Sequence, residues 1–162
     1  MLTPPAPIDA SHDTTGFSCG HPSLDSWLKT KALRSEGRTA RTYVVLEGTD
    51  IVGYYCLATG AIARAEAPSK LRRNAPDPLP VAIIGRLAVT IEWAGQGIGS
   101  AMLQDGLKRI LGISRAVGCR AALVHAIDDN AHTFYLRYGF IPFPATPRTL
   151  FLPTETIAAA LE

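Results

Sequence analysis

Three alternating glycines, Gly95, Gly97 and Gly99, constrain this chain more than any other feature, because of what lies on either side of them. The stretch reads Arg86-Leu87-Ala88-Val89-Thr90-Ile91-Glu92-Trp93-Ala94-Gly95-Gln96-Gly97-Ile98-Gly99-Ser100. Its first part closes an apolar, β-branched run from Val81 that predicts a buried strand. Ala101-Met102-Leu103 then opens the apolar spacing of a helix. Strand, glycine turn and helix in that order aim several backbone N–H groups at an anion. Glycine permits positive φ and close approach, and the helix N-terminus is electropositive. A dinucleotide fingerprint needs its glycines over six residues and an acidic residue about twenty further on, and a P-loop needs a Lys-Ser/Thr pair; neither is present. Such a turn also serves as a plain strand-to-helix connection, so the downstream sequence has to decide.

At 162 residues the chain has the length of one domain, 1–162, with a real core. Apolar residues make up 47% and charged ones 19%, which excludes a disordered chain. No apolar run reaches the length of a membrane span, and Met1-Leu2-Thr3-Pro4-Pro5 lacks the basic and apolar regions of a signal peptide. Cys19, Cys56 and Cys119 are odd in number and widely spaced, which predicts reduced thiols in the cytoplasm, with no disulfide framework and no metal site. A net charge of +2 does not by itself declare a nucleic-acid binder. The local distribution says more.

Residues 1–16 predict a surface lead-in with at most one short strand. His21-Pro22 opens a helix with Leu24, Trp27, Leu28 and Leu33 on one face and Gly37 as its stop. Lys29, Lys31, Arg34, Arg38 and Arg41 lie on and just past it, against Glu36 alone. That group is either a solvated helix face or a phosphate-facing patch. Runs at 42–47 and 51–58, joined by Gly48-Thr49-Asp50, predict a hairpin; Tyr54 and Tyr55 either stack on a ligand or, as strand aromatics more often do, belong to the core or to cross-strand pairs. Residues 61–80 predict a long, mobile connection carrying Lys70, Arg72 and Arg73. A helix over 98–117, a buried strand over 120–126 and a short helix over 131–138 follow, the last capped by Asp128-Asp129-Asn130. Two final strands, at 140–141 and 149–152, flank a proline-rich loop, and 154–161 predicts a terminal helical turn.

Gly97 and Gly99 stand where the x-x-Gly-x-Gly turn of the GCN5-related N-acetyltransferases has its glycines. Ala131-His132-Thr133-Phe134-Tyr135-Leu136-Arg137-Tyr138-Gly139-Phe140 is similar to that family's Ala-x-x-x-Tyr-x-x-x-Gly-Phe signature. The resemblance extends to the acetyltransferase toxins of bacterial toxin–antitoxin pairs. It is carried by Phe17-Ser18-Cys19-Gly20, Leu24-Asp25-x-Trp27-Leu28, Gly53-Tyr54-Tyr55, Leu71-Arg72-Arg73-Asn74-x-Pro76-Asp77-Pro78, Arg86-Leu87-Ala88-Val89 and Val124-His125-Ala126. Two positions depart from the superfamily pattern: Ala94 stands where Arg or Gln is usual, and Asp128 where many members have Asn.

The resemblance implies an α/β (α+β) fold, with a central, mostly antiparallel sheet flanked by helices and splayed between the strands near Leu87 and Leu123. Acetyl-CoA would lie in the splay. Leu87, Ala88 and Val89 would hold the pantetheine and acetyl carbonyl; Gly95, Gln96, Gly97, Ile98, Gly99 and Ser100 would hold the pyrophosphate. Tyr135 would be the general acid, and its ordinary pKa of about 10 matches a departing thiol better than a carboxylic acid's does. Toxins of this kind acetylate the α-amine of aminoacyl-tRNA and block translation. They are usually homodimers, neutralised by a ribbon-helix-helix antitoxin. Arg72 and Arg73, with Lys29, Arg34 and Arg38, are then the candidate RNA contacts.

The acetyl-binding strand end carries no carboxylate. A lysine side chain is neutral in only about one molecule in a few thousand at pH 7, whereas an α-amine of pKa about 7.7–8.0 is roughly a tenth neutral. The missing base therefore favours an α-amine, on charged tRNA or on a protein N-terminus. A small-molecule amine would call for an acidic pocket, and a non-catalytic CoA-binding domain would tolerate loss of Tyr135.

Overall fold

The computed structural model describes residues 1–161; Glu162, the last residue of the expected domain, lies outside the described residues. In chain order the elements are β1 (Ala6–Pro7), α1 (Pro22–Thr30), α2 (Ala32–Ser35), β2 (Arg41–Glu47), β3 (Asp50–Ile62), α3 (Ser69–Arg72), β4 (Leu79–Val89), α4 (Ile98–Ala116), β5 (Ala121–His125), α5 (Asp129–Arg137), β6 (Ile141–Pro142), β7 (Thr149–Pro153) and α6 (Thr154–Leu161). Short 3-10 turns occupy Arg64–Glu66 and Ile91–Trp93. The fold is mixed α/β, with helices flanking a seven-stranded sheet of order β1-β2-β3-β4-β5-β7-β6. Pairing is antiparallel at β1/β2, β2/β3, β5/β7 and β6/β7, and parallel between β4 and β5. The parallel ladder ends at Ile84↔Val124, and β4 continues five residues beyond it to Val89.

Two compact units share this sheet: Met1–Ala58 with Gly85–Gly106, and Thr59–Ile84 with Leu107–Glu162. Their boundaries fall inside β3, β4 and α4. The first unit packs Ile8, Phe17, Leu28, Val44, Ile51 and Tyr54 into one cluster. Tyr54 is fully buried, with Phe17 edge-on at 5.4 Å and Trp27 stacked at 6.0 Å, and its hydroxyl donates to the Leu24 carbonyl at 2.7 Å. On the other face of β3, a Cβ placed on Gly53 would meet Ile98 and Met102 at 3.1 Å, so the start of α4 lies flat on the strand. Tyr55 stacks on Tyr43 at 5.3 Å and donates its hydroxyl to Asp105 of α4. Both tyrosines are core residues, as the hairpin reading requires.

The helix opened by His21-Pro22 does not run to Gly37. It breaks at Lys31, whose φ of −124° leaves the helical region, and resumes as the one-turn α2. The break turns Ala32 inward, to full burial, and leaves Leu33 48% exposed. A single helical period carried across the break had placed Leu33 on the inner face.

The second unit is built on Ile62, Leu71, Leu79, Val81, Leu123, Phe143 and Phe151. Here the expected connection over 61–80 proves structured. β3 runs on to Ile62, and α3 inserts Leu71, fully buried, among those residues. Leu71 therefore helps tie down the segment that carries Arg72 and Arg73, together with Ala67 and Leu79. Leu71→Ala is expected to cost about 2–5 kcal/mol in urea unfolding. A change below about 0.5 kcal/mol would mean that α3 is not anchored to the core.

Candidate active site

The glycine turn is held from both ends. After β4, Thr90 is buried; its N–H donates to the Val52 carbonyl at 2.8 Å, and its hydroxyl accepts from the Ser18 N–H and donates to the Ser18 carbonyl. Ile91 N–H donates to the same Ser18 carbonyl at 2.8 Å. Beyond the 3-10 turn, Gly95 and Gly97 take φ of +77° and +81°, the left-handed region where a Cβ is strained. The Gly97 carbonyl accepts the Ala101 N–H at 3.0 Å and so starts α4.

Nothing lies within 4 Å of the Cβ positions of Gly95 or Gly97, so this side of the turn is open. The first turn of the 19-residue α4 contains no acidic side chain to compensate its dipole. An open turn face, positive φ and a helix N-terminus with no acidic side chain in its first turn fit a diphosphate. Ile98 is buried, Gly99 and Ser100 are half-buried, and Gln96 and Ala94 are exposed. The turn thus presents backbone, and Ala94 offers no polar side chain beside it.

Leu87 and Val89 are half-buried in β4 and Ala88 points into the core, all three beyond the ladder with β5. Immediately before them, Arg86 adopts φ +58° although it is not glycine. Its guanidinium carbon lies 4.3 Å over the Trp27 ring. Burial pushes the nearby Cys56 thiol up to about 11, against the pull of Thr42 and the Arg86 guanidinium. Cys56 is therefore an inert core thiol at neutral pH.

Tyr135 sits in the last turn of α5. Asp128 caps that helix: its Oδ1 accepts the Ala131 N–H at 2.8 Å. The residue standing in place of the superfamily's Asn therefore has a local structural task. Gly139, at φ +90°, ends the turn, and Phe140 N–H folds back onto the Tyr135 carbonyl at 3.2 Å. Tyr135 is 6% exposed, packed edge-on to Phe134 at 5.4 Å and against Phe140 at 5.5 Å. Among the described residues its hydroxyl makes no hydrogen bond. Burial alone pushes its phenol up to about 12, which keeps the proton on at neutral pH. A buried, protonated and uncommitted hydroxyl is what a proton donor to a leaving group requires.

The basic candidates divide between the two units. Lys29, Arg34 and Arg38 are all exposed in the first, where Arg41 instead pairs with Glu36 at 3.6 Å. Arg72 and Arg73 are exposed at the end of α3 in the second, and they line different clefts. Arg72 borders a cleft of about 770 Å³ with Leu123, Phe143 and Thr149. Arg73 borders one of about 780 Å³ with Lys70, Asn74, Arg120 and Glu155. Sequence reasoning missed Arg86: its dihedral angle and its stacking depend on contacts that no local pattern encodes. Among the described residues no helix is long and apolar enough to cross a membrane, and no cluster of three or more His, Cys, Asp or Glu side chains could hold a metal ion.

Residues 38–142 match the family model described as an acetyltransferase (GNAT) domain. The chain is 41% identical over 149 residues to a tRNA-acetylating toxin of Mycobacterium tuberculosis, a match covering 91% of this chain and 90% of that protein. It is similar in structure to AtaT complexed with acetyl-methionyl-tRNAfMet, with a TM-score of 0.91, 30% identity and 100% of both chains covered. It is also similar to a tyrosine-to-phenylalanine mutant of the AtaT toxin bound to the C-terminus of the antitoxin AtaR and acetyl-CoA, with a TM-score of 0.85, 28% identity, and 99% and 98% of the two chains covered.

Proposed function

We propose, because the chain belongs to the GNAT acetyltransferase family, that it transfers acetyl from acetyl-CoA to the α-amine of aminoacyl-tRNA and so blocks translation. The observation that carries this reading is the match, over nine-tenths of both chains, to a tRNA-acetylating toxin. The open glycine turn, the protonated Tyr135 and the exposed basic side chains support it.

Acetyl-CoA supplies the activated thioester. The amides of Gly95, Gln96, Gly97, Ile98, Gly99 and Ser100 hold its pyrophosphate, and Leu87, Ala88 and Val89 orient its acetyl end along β4. An α-amine presents a neutral fraction without a protein base, so no carboxylate is needed on β4. As the amine nitrogen bonds to the acetyl carbon, the carbon–sulfur bond breaks and Tyr135 gives its phenolic proton to the departing sulfur. The amine's surplus proton leaves to solvent. Lys29, Arg34, Arg38, Arg72 and Arg73 contact acceptor phosphates.

On this reading the chain works in the cytoplasm as a single catalytic domain and a homodimer. A ribbon-helix-helix antitoxin neutralises it; the likeness to the antitoxin-bound AtaT supports an antitoxin partner. The deciding experiment offers radiolabelled acetyl-CoA to total charged tRNA and, separately, to total protein and to small amines. Label is expected in the charged tRNA and to be lost when the tRNA is deacylated beforehand. Label in protein or small amines alone would overturn the reading.

Neutralising Arg72 and Arg73 together is expected to weaken acceptor binding. It should also flatten the slope of log K against log salt by about 1.4–1.8, at about 0.7–0.9 per phosphate contact. Acetyl-CoA affinity should hold. An unchanged slope and affinity would make α3 an ordinary solvated turn.

A further inference from the structure

Resting on the proposed acetylation of aminoacyl-tRNA, we propose that Arg86 receives the terminal base of the acceptor, stacked on a guanidinium plane that Trp27 and Tyr54 hold in place. Four observations, all within the first unit, converge on this residue.

The first is its backbone. Arg86 takes φ +58° in the middle of β4, whereas Gly85 beside it, which could do so without steric cost, does not. Sparsely populated dihedral angles of this kind persist where the surroundings enforce them, and they concentrate at ligand sites. Second, the side chain is ordered by stacking. The guanidinium lies 4.3 Å over Trp27, whose ring is parallel to Tyr54 within 8°, and Tyr54 is fixed by full burial and its bond to the Leu24 carbonyl. Third, Arg86 is exposed, and among the described residues no carboxylate pairs with it. The guanidinium is held beside the Trp27 ring and the Cys56 thiol, so an exposed residue carries a pre-ordered cation with no carboxylate among the described residues in ion-pair range. Fourth, Arg86 directly precedes Leu87, Ala88 and Val89, the residues assigned to the acetyl end of the cosubstrate.

A pre-ordered guanidinium at an exposed residue can serve as a stacking surface for a nucleobase, sequence-tolerant because every base has a π-face. The reacting amine is on an amino acid esterified to the terminal ribose, so the base of that same nucleotide is the nearest one to the acetyl group. Freezing Arg86 on Trp27 before binding lowers the entropy cost of holding that base.

The test is steady-state acetylation of charged tRNA by R86K and R86G, at several salt concentrations. R86K keeps the charge without the plane; R86G removes the side chain and accommodates the φ. Both are expected to raise KM for charged tRNA roughly tenfold, the order of one base stack. The salt slope, kcat and acetyl-CoA affinity should stay near wild type. Wild-type KM in R86K, or a slope reduced by about 1 in R86G, would replace the stacked base by a phosphate contact and overturn the proposal. A fall in kcat with KM unchanged in both variants would overturn it too, leaving Arg86 as a shaper of β4. These outcomes are distinct from failure of the functional reading itself, which would show as wild-type enzyme that acetylates no charged tRNA.

Discussion

Tyr135→Phe is expected to slow acetyl transfer by about 10²–10⁴-fold while leaving acetyl-CoA affinity unchanged. The substitution keeps the ring and its contacts with Phe134 and Phe140, and removes only a hydroxyl that no described residue uses. Folding stability should therefore change by less than about 1 kcal/mol. The measurements are steady-state transfer, calorimetric binding and thermal unfolding of the same two proteins, with growth of cells expressing each without an antitoxin. The wild type should arrest growth and the variant should not.

The pH dependence follows from burial. A phenol pushed up to about 12 remains a donor throughout the working range, so the rate should rise as the acceptor amine loses its proton and then stay level past about pH 9. The sign for stability is opposite. Because burial raises this group in the folded state, its contribution is complete below about pH 10 and is lost as pH rises toward 12. A folded, acetyl-CoA-binding Phe variant that transfers at wild-type rate would return Tyr135 to the core.

Gly97→Glu should lower acetyl-CoA affinity by about 100-fold or more, on two separate grounds. At φ +81° any side chain is strained, and on the proposed reading the pyrophosphate would approach through the open space beside Gly97. The added carboxylate also repels it, and charge-assisted backbone bonds of about 1.5–3 kcal/mol each are lost. The fold should survive, since nothing lies within 4 Å of the new Cβ. Calorimetry with acetyl-CoA checks the affinity, and circular dichroism checks the fold. Retained affinity would move the cofactor away from this turn and remove the main structural support for the reading.

The glycine turn, the helix after it and the strand before it were legible because each rests on a local rule: β-branching, positive φ and helical spacing. The Tyr135 helix was legible for the same reason, with its Asp128 cap and Gly139 stop. What stayed hidden was tertiary. Leu33 sits correctly for one continuous helix, and only the break at Lys31 turns it outward. Residues 61–80 read as loose because of their prolines, yet Leu71 and Leu79, both fully buried, anchor them with Ile62 and Ala67. Arg86 lay in plain view within the most informative stretch of the chain. Its importance lies in a dihedral angle and in an indole fifty-nine positions earlier in the sequence.

The order of pairing in the sheet also sets when the second unit can be completed on the ribosome. β5 is flanked in the sheet by β4 and β7, and β7 is not synthesised until residues 149–153. At about 5–20 residues per second, a ribosome has made the glycine turn several seconds before it completes the strand beside β5. Nascent chains therefore carry a cosubstrate cradle without a finished second unit, and chains cut short before residue 149 never acquire one. A premature stop ahead of β7 would leave the proposed transfer without a finished second unit.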